Sequence, residues 1–215
     1  MGSSIFSGCY SLSSVELSSS ISDIGEYAFH DCVSLVSINL PDSLKTIGDD
    51  AYRGCTSLTS IDIPNLVNKI GKQAFYDCNS LKTVYIPKSI KTIGVYAFIC
   101  EENQPLEDIY VAWDTPLSIS KNVFSYDDYY LVQLKSYKVR LHVPAASVSK
   151  YKQAPVWKDF YGFIPWATDI TSLNDDNNAT DAIHYNLNGV IIKSDIPGIH
   201  IIKQNDGKTV KRFVK

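Results

Sequence analysis

A ten-residue phrase that opens with cysteine recurs along the first half of the chain at a fixed interval of 23 residues. Its four copies read CYSLSSVELS, CVSLVSINLP, CTSLTSIDIP and CNSLKTVYIP, and they begin at Cys9, Cys32, Cys55 and Cys78. A fixed period of about 20 to 30 residues is typical of a solenoid, because one unit of that length cannot enclose a core and has to share one with its stacked neighbours. The repeat therefore predicts a ladder of similar rungs.

Each rung is predicted to contain a short strand followed by a turn. Within the phrase, a leucine precedes two apolar residues that alternate with polar ones, as in Leu58, Ile61 and Ile63, which is the period-two pattern of a strand. A proline then ends the strand. We expect these strands to pair in parallel, about 4.8 Å apart. The Ile-Gly pair that follows is expected to turn the chain at its glycine, since glycine adopts backbone conformations that other residues resist.

The aromatic residue and the cysteine that follow each Ile-Gly pair are predicted to lie in the core. The aromatic residues are Phe29, Tyr52, Phe75 and Phe98, each inserted by a short turn. Buried free cysteine is common and inert, so the cysteines are expected to be small packing residues at one corner of each rung. Reactive thiols, metal ligation and rung-to-rung disulfides are the alternatives, because neighbouring Cα atoms about 4.8 Å apart fall within disulfide range. No histidine recurs at a repeat position, and we predict no metal and no cofactor.

The composition argues against several classes of partner. The formal net charge is −3, the pI is near 5.8 and no basic run occurs, which disfavours nucleic acid or a polybasic membrane surface as the main partner. No apolar run approaches the roughly 20 residues of a membrane-spanning helix. The start of the chain lacks a signal peptide, but Met1-Gly2 stands where Ile-Gly belongs. We therefore expect the native chain to continue upstream, with its signal peptide there.

The pattern C-x-S-L-x-S-I-x-I-P, followed by I-G-x-x-A-F-x-x-C, resembles the BspA-like leucine-rich repeat of bacterial and protozoan surface proteins. The resemblance covers roughly residues 1 to 165. It implies a leucine-rich repeat solenoid of about five to six rungs, made mostly of short parallel β-strands and turns, with the strands lining a concave face. It also implies export to the cell surface, where such proteins bind host proteins or other cells.

The repeat becomes irregular after its fourth copy. The stretch SYDDYYLVQLKSYK, residues 125–138, is insertion-like and rich in tyrosine, and VRLHVP reads as the last rung. Residues 145–166 resemble the closing segment of BspA-like arrays, and an open solenoid end would expose core and unpaired strand edges. Trp157, Phe160 and Phe163 are therefore predicted to cover the last rung. An aromatic platform for carbohydrate is the alternative.

The chain is predicted to divide into three parts: the solenoid with its cap at 1–166, a polar linker at 167–182 and a small β tail at 183–215. The tail alternates like short strands separated by Asn-Gly and Asp-Gly turns. It resembles the C-terminal segment of many secreted Bacteroidetes proteins, some of which direct secretion and surface attachment. Val190 and His200 depart from that pattern, so a sorting role stays open.

The strand pattern predicts which residues face outward on the concave face, because successive side chains of a strand point to opposite sides. One outward column holds mostly small residues: Ser14, Ser37, Ser60, Thr83 and Asp108. The other changes from acidic to aromatic: Glu16, Asn39, Asp62, Tyr85 and Tyr110, continued by His142. Since Tyr and Trp are enriched where proteins bind partners, we predict ligand contacts from Asn39, Asp62, Tyr85, Asp108, Tyr110, Trp113 and His142. Outward tyrosines that only pack along the strands are the alternative.

The sequence predicts a non-enzymatic protein. The four histidines lie in different segments, and no H-E-x-x-H, G-x-S-x-G or Walker pattern occurs. The favoured function is a cell-surface or secreted adhesion module whose concave face contacts a host protein, a glycan or another cell. A structural spacer that presents an upstream domain is the alternative. Self-association through the open first rung is a further option.

Overall fold

The computed structural model describes residues 1–100, 105–125 and 138–166 with their side chains, and the backbone of four strands between 183 and 214. Residues 126–137 of the predicted insertion and the whole of the predicted linker at 167–182 lie outside the described residues. The repeats form a solenoid of about six turns with parallel strands, as the sequence predicts.

Two parallel sheets form two sides of the solenoid. The first, called the side sheet, consists of the two-residue strands β1 (Asp23–Ile24), β2 (Thr46–Ile47), β4 (Lys69–Ile70) and β6 (Thr92–Ile93). The second, called the front sheet, consists of β3 (Ser60–Asp62), β5 (Thr83–Ile86), β7 (Asp108–Val111), β8 (Arg140–Pro144) and β9 (Gly162–Trp166). The outer face of the front sheet is the predicted concave face.

The front sheet begins later in the chain than the pattern predicts. No strand ladder forms at Ile38 and Leu40, although Ile38 is buried as expected. There the rungs are joined by bonds such as Val36 N–H to Ser13 O at 3.4 Å and Thr59 N–H to Val36 O at 3.2 Å. The side sheet is an addition that the sequence does not reveal, because two-residue strands are too short for an alternating pattern.

A ladder of stacked aromatic rings runs through the core, as predicted. Its central members are fully buried or nearly so: Phe29, Tyr52, Phe75 and Phe98. Neighbouring ring centroids lie 5.1 to 5.3 Å apart, with interplanar angles of 8° or less. Phe6 and Phe124 extend the stack at its two ends. The ladder therefore ties every regular rung to its neighbours through the same contact.

Three of the repeated cysteines are buried packing residues, as predicted. They are Cys32, Cys55 and Cys78, and all three are free. Each thiol donates to a backbone carbonyl of the preceding rung, as Cys55 Sγ does to Phe29 O at 3.1 Å. Burial raises the pKa of Cys32 to about 11, so its thiol stays protonated at neutral pH. Cys9 is exposed and Cys100 is half-buried, and both are also free.

The glycines of the Ile-Gly pairs are required for a different structural reason from the predicted one. Their backbone is not left-handed. A Cβ on Gly48 would instead lie 2.7 Å from the carbonyl carbon of Gly25 in the preceding rung. The expectation of a glycine-dependent turn is therefore wrong, and close approach of stacked backbones is the reason for glycine. Left-handed backbone occurs further along each rung, for example at Asp50 (φ 53°) and Gly54 (φ 72°).

The C-terminal end of the solenoid closes the aromatic ladder. It contains a 3-10 turn at Ala145–Ser147, helix α1 (Val148–Tyr151), a second 3-10 turn at Trp157–Asp159 and then β9. Trp157 and Phe160 are buried, and Phe163 is half-buried against the core. Trp157 and Phe160 meet Phe124 edge-on, with centroids 6.0 and 5.4 Å away. The segment then adds β9 as a further rung, which the sequence analysis does not predict.

The tail contains four antiparallel strands. They are β10 (Ile183–Tyr185), β11 (Ile191–Ile192), β12 (Gly198–Lys203) and β13 (Thr209–Val214), in the sheet order β11-β10-β12-β13. Within the described ranges, no helix has the length and apolar character needed to cross a bilayer.

Candidate binding surface

The register of the front sheet aligns most of the predicted site residues on its outer face. Asp62, Tyr85, Tyr110 and His142 are direct partners on successive strands. Asp108 belongs to the neighbouring column, opposite Arg140. Asn39 lies before the first strand of this sheet and is exposed. The predicted columns therefore exist from β3 to β8, whereas Asn39 stands apart from the ladder.

Trp166, at the end of β9, covers part of this face. Its ring lies edge-on to Tyr85 at 5.9 Å and to Tyr110 at 6.2 Å. Only 8% of Tyr85 and 5% of Trp166 are exposed. The expected open ring surface at Tyr85 is therefore wrong: that ring is buried beneath Trp166. We call the group formed by Tyr85, Tyr110, His142 and Trp166 the aromatic corner.

A missing hydrogen bond explains why Trp166 lies where it does. One rung earlier, Ala112 N–H donates to Ile86 O at 3.1 Å. The residue aligned with Ala112 on the next rung is Pro144, as the register of β7 and β8 shows, and proline has no N–H. The indole N–H of Trp166 donates to Val111 O at 3.2 Å instead. The side chain thus satisfies a buried carbonyl that the ladder cannot reach.

A charged group lies beside the aromatic corner. The Asp108 carboxylate accepts from Arg140 Nε at 2.8 Å and from Nη2 at 2.5 Å. It also meets His142 Nε2 at 2.6 Å. Burial opposes ionisation of Asp108, but the hydrogen bonds from His142 and Arg140 outweigh it and hold the pKa below its usual range. Asp108 is therefore ionised at neutral pH and holds both Arg140 and His142 in place.

His142 is buried with one nitrogen unused. Its ring stacks on Tyr110 with centroids 4.0 Å apart, and the residue is 6% exposed. Among the described residues, Nδ1 has no hydrogen-bond partner. When Nε2–H donates to Asp108, Nδ1 is a buried acceptor. Burial and the nearby Asp108 raise the pKa of Tyr110 to about 12, so Tyr110 keeps its hydroxyl proton at neutral pH.

Trp113 does not belong to the surface, contrary to the sequence interpretation. It is 7% exposed and lies in the core. Its indole N–H donates to Ile90 O at 3.1 Å, and its ring packs against Trp157 with centroids 5.9 Å apart. The residue follows the end of β7, where the strand alternation no longer decides which way a side chain points. Trp113 is therefore a structural residue of the C-terminal end.

The part of the face that solvent reaches is mixed in character. Asn39 is exposed, and Asp62, Asp108 and Tyr110 are half-buried. The Arg140 side chain is 46% exposed. This arrangement offers hydrogen-bond donors and acceptors beside the edge of a tyrosine ring, which suits contact with a polar partner. Within the described ranges, no group of three or more His, Cys, Asp or Glu residues could hold a metal ion.

Sequence reasoning missed Arg140 and Trp166. The Arg140 position can be found from the sequence, because VRLHVP aligns as a rung and Arg140 falls in the column of Asp108. Trp166 gives no such signal, since the sequence places its segment in the cap. Its contacts depend on where the chain runs after the last regular rung.

The fold is similar to that of two solved bacterial proteins. The leucine-rich repeat protein TpLRR of T. pallidum is 27% identical, with a TM-score of 0.50 over 77% of this chain and 78% of its own. The pneumococcal vaccine antigen PcpA is 24% identical, with a TM-score of 0.55 over 71% of this chain and 35% of its own. Comparison with curated protein sequences finds no match. A family model described as the BspA type leucine rich repeat region matches residues 1–130 in six copies, and the chain therefore belongs to the BspA-type leucine-rich repeat family.

Proposed function

We propose that this protein is a non-enzymatic binding module of the cell surface or extracellular space, whose front sheet contacts a host protein, a glycan or another cell. Membership of a leucine-rich repeat family supports the binding role, because stacked repeats present an extended surface that needs no deep pocket. The observation that carries the proposal is the aromatic corner with its charged neighbours, Asp108 and Arg140, on an otherwise small and polar sheet face.

Tyr110 and Arg140 are the best candidates for direct contact. Both side chains reach solvent in part, and Tyr and Arg are enriched among the residues that dominate binding energy at protein interfaces. Trp166 and Asp108 hold these two residues in position. A contact surface that is already ordered loses less conformational entropy when a partner binds.

The test is binding of the purified protein to an array of host matrix proteins and glycans. The double variant Tyr110→Leu with Arg140→Gln should weaken selective binding by about tenfold or more, the equivalent of ~1.4 kcal/mol. The matched control is Tyr27→Leu with Lys158→Gln, which alters two exposed residues outside the front sheet. Equal affinity of both variants for the partner would exclude the aromatic corner as the contact surface. If the wild-type protein binds nothing in the array, the spacer role is favoured.

The first rung is a second candidate surface, for contact between copies of the chain. Phe6 stacks on Phe29 with one face, at 5.2 Å, and Ile5 and Tyr10 are 55% and 61% exposed. An exposed apolar rung edge favours association. We expect Ile5→Asp to abolish any dimer seen by light scattering; a dimer that persists would exclude this surface.

The tail supports a surface location in a Bacteroidetes cell. Its sequence is similar to segments that direct secretion and attachment, and residues 183–215 would serve that purpose here. Deletion of these residues should release the protein from the cell surface without lowering its amount. Unchanged surface attachment after deletion would exclude the sorting role and leave a small β appendage.

A further inference from the structure

A cluster of exposed lysines, called the lysine face, surrounds the C-terminal half of the side sheet. Its members are Lys45, Lys69, Lys72, Lys88 and Lys91. Segments 65–72 and 88–95, which occupy the same place in successive rungs, carry four of these lysines and no Asp or Glu. The excess of positive charge is a local property of this face, since the chain as a whole has a net charge of −3.

The side sheet sets the spacing of the lysine face. Lys69 is the direct partner of Thr46 on one neighbouring strand and of Thr92 on the other. Lys45 and Lys91 directly precede those threonines. Successive rungs are about 4.8 Å apart, so three successive rungs each contribute a lysine within about 10 Å along the solenoid axis. The charges form a line rather than a ring around a pocket.

Several cations elsewhere on the solenoid have acidic partners. Arg53 pairs with Asp50 at 3.2 Å, and Lys82 pairs with Glu107 at 3.0 Å. Among the residues that the structure describes, none of the five ammonium groups of the lysine face lies in an ion pair. Two carboxylates border the face: Asp49, which accepts the backbone N–H of Lys72 at 3.0 Å, and Asp23, whose charge interacts with that of Lys45. Neither forms an ion pair with the five ammonium groups, so the positive charge of the face is only partly compensated.

Like charges held this close repel one another, and an anion bound across them removes that cost. Lysine is a compact point charge on a flexible stem and suits phosphate or sulfate groups that are not held in one fixed orientation. The lysines follow successive rungs and do not converge on one point, an arrangement that fits a linear chain better than a small molecule in a pocket. The regular rung spacing allows such a chain to meet a cation at several consecutive steps.

We propose that the lysine face binds a linear polysaccharide that bears sulfate or phosphate groups, laid along the solenoid axis. This site is on a different side of the solenoid from the aromatic corner, so it goes beyond the proposed front-sheet function. Attraction between exposed charges weakens as salt rises, and the affinity should fall steeply with ionic strength.

The test uses dextran sulfate and phosphorylated dextran as probes, with unmodified dextran as the neutral comparison. The wild-type protein should bind at least one charged dextran and not the neutral one. The variant Lys69→Gln, Lys72→Gln, Lys88→Gln, Lys91→Gln should lose about tenfold in affinity and elute at lower salt from an immobilised probe. Preference for one charged dextran would identify the anionic group.

The matched control removes four positive charges elsewhere: Lys82→Gln, Lys150→Gln, Lys152→Gln, Lys158→Gln. It should change the affinity by less than about threefold, and both variants should melt close to wild type, because exposed lysines contribute little to stability. An equal loss of affinity in the control would show that the charged dextran responds to the total charge of the protein and not to the lysine face, and it would overturn the proposal. Absence of binding by the wild type would also overturn it, and so would loss of binding in the Tyr110→Leu, Arg140→Gln variant alone.

Discussion

Aromatic side chains pack differently in the regular rungs and at the C-terminal end of the solenoid. In the regular rungs they stack almost in parallel, as Tyr52 does on Phe75 with an interplanar angle of 0°. At the C-terminal end most pairs meet edge-on, as Phe124 and Phe160 do at 85°, although Trp157 and Phe160 stack at 19°. Both geometries are favourable for aromatic rings. Repetition by translation imposes the first, because equivalent residues of identical rungs lie directly above one another, whereas closing the solenoid requires the second.

The two packing geometries have different consequences for function. A stacked ladder is uniform and buried, so it stabilises the solenoid without distinguishing one rung from another. The C-terminal end breaks that uniformity and brings Trp166 over Tyr85 and Tyr110 on the front sheet. The most distinctive surface of the molecule thus arises where the repeat ends.

Removing one ring should show how far the ladder depends on each member. Phe75 is fully buried between Tyr52 and Phe98, and Phe75→Ala should lower the free energy of unfolding by about 3–5 kcal/mol, the typical loss for a buried phenylalanine. Denaturant unfolding measures the change. Tyr10→Ala is the control, since Tyr10 is exposed and its loss should cost less than about 0.5 kcal/mol. A small loss at Phe75 would mean that the rungs do not depend on ring stacking.

A methyl group at a rung contact should be the next largest effect. Gly48→Ala places a Cβ against the backbone of Gly25, and forced overpacking costs about 1–3 kcal/mol. Gly162→Ala, in the less regular β9, is the matched control because nothing lies within 4 Å of a Cβ there. Equal thermal stability of the two variants would contradict close backbone approach as the reason for the repeated glycine.

Two buried tyrosines should respond in opposite directions to the same substitution. The Tyr52 hydroxyl has no hydrogen-bond partner among the described residues, so Tyr52→Phe should stabilise the protein by about 1 kcal/mol. The Tyr151 hydroxyl donates to Trp113 O at 2.9 Å, so Tyr151→Phe should destabilise it by about 1 kcal/mol. Thermal unfolding of both variants measures the two changes in stability. A destabilised Tyr52→Phe would show that the hydroxyl in the regular ladder has a partner after all.

The smallest expected effect concerns the charges beside the aromatic corner. Because the folded state lowers the pKa of Asp108, its contribution to stability is present above the unfolded pKa, near about 4, and is lost as the pH falls through the folded value. Arg140, His142 and Tyr110 face this carboxylate. Unfolding curves measured between pH 7 and pH 2 should show a shallower acid loss for Asp108→Asn than for wild type.

The exposed Asp42 provides the control for that titration. Asp42→Asn should leave the acid dependence close to that of wild type. Identical curves for wild type and Asp108→Asn would mean that the ion pair with Arg140 adds nothing to folding.

Much of the fold could be predicted, but less of the candidate site. The period placed Phe29 and Cys55 in the core, and strand alternation placed Tyr110 and His142 on one face. These inferences depend only on residues within one rung and on its copies. The position of Trp113 could not be inferred in this way, because it follows the strand where alternation stops.

By itself the sequence determined that the chain stacks in 23-residue rungs, with one aromatic ring and one cysteine inside each regular rung. A repeated unit places each residue in the same surroundings as its copies, so one unit predicts the others. Only the tertiary structure decided that Trp166 returns to cover Tyr85 and that five lysines gather around the side sheet without an ion pair among the described residues. The physical reason is that these groups differ from rung to rung, and their surroundings depend on contacts that no single unit contains.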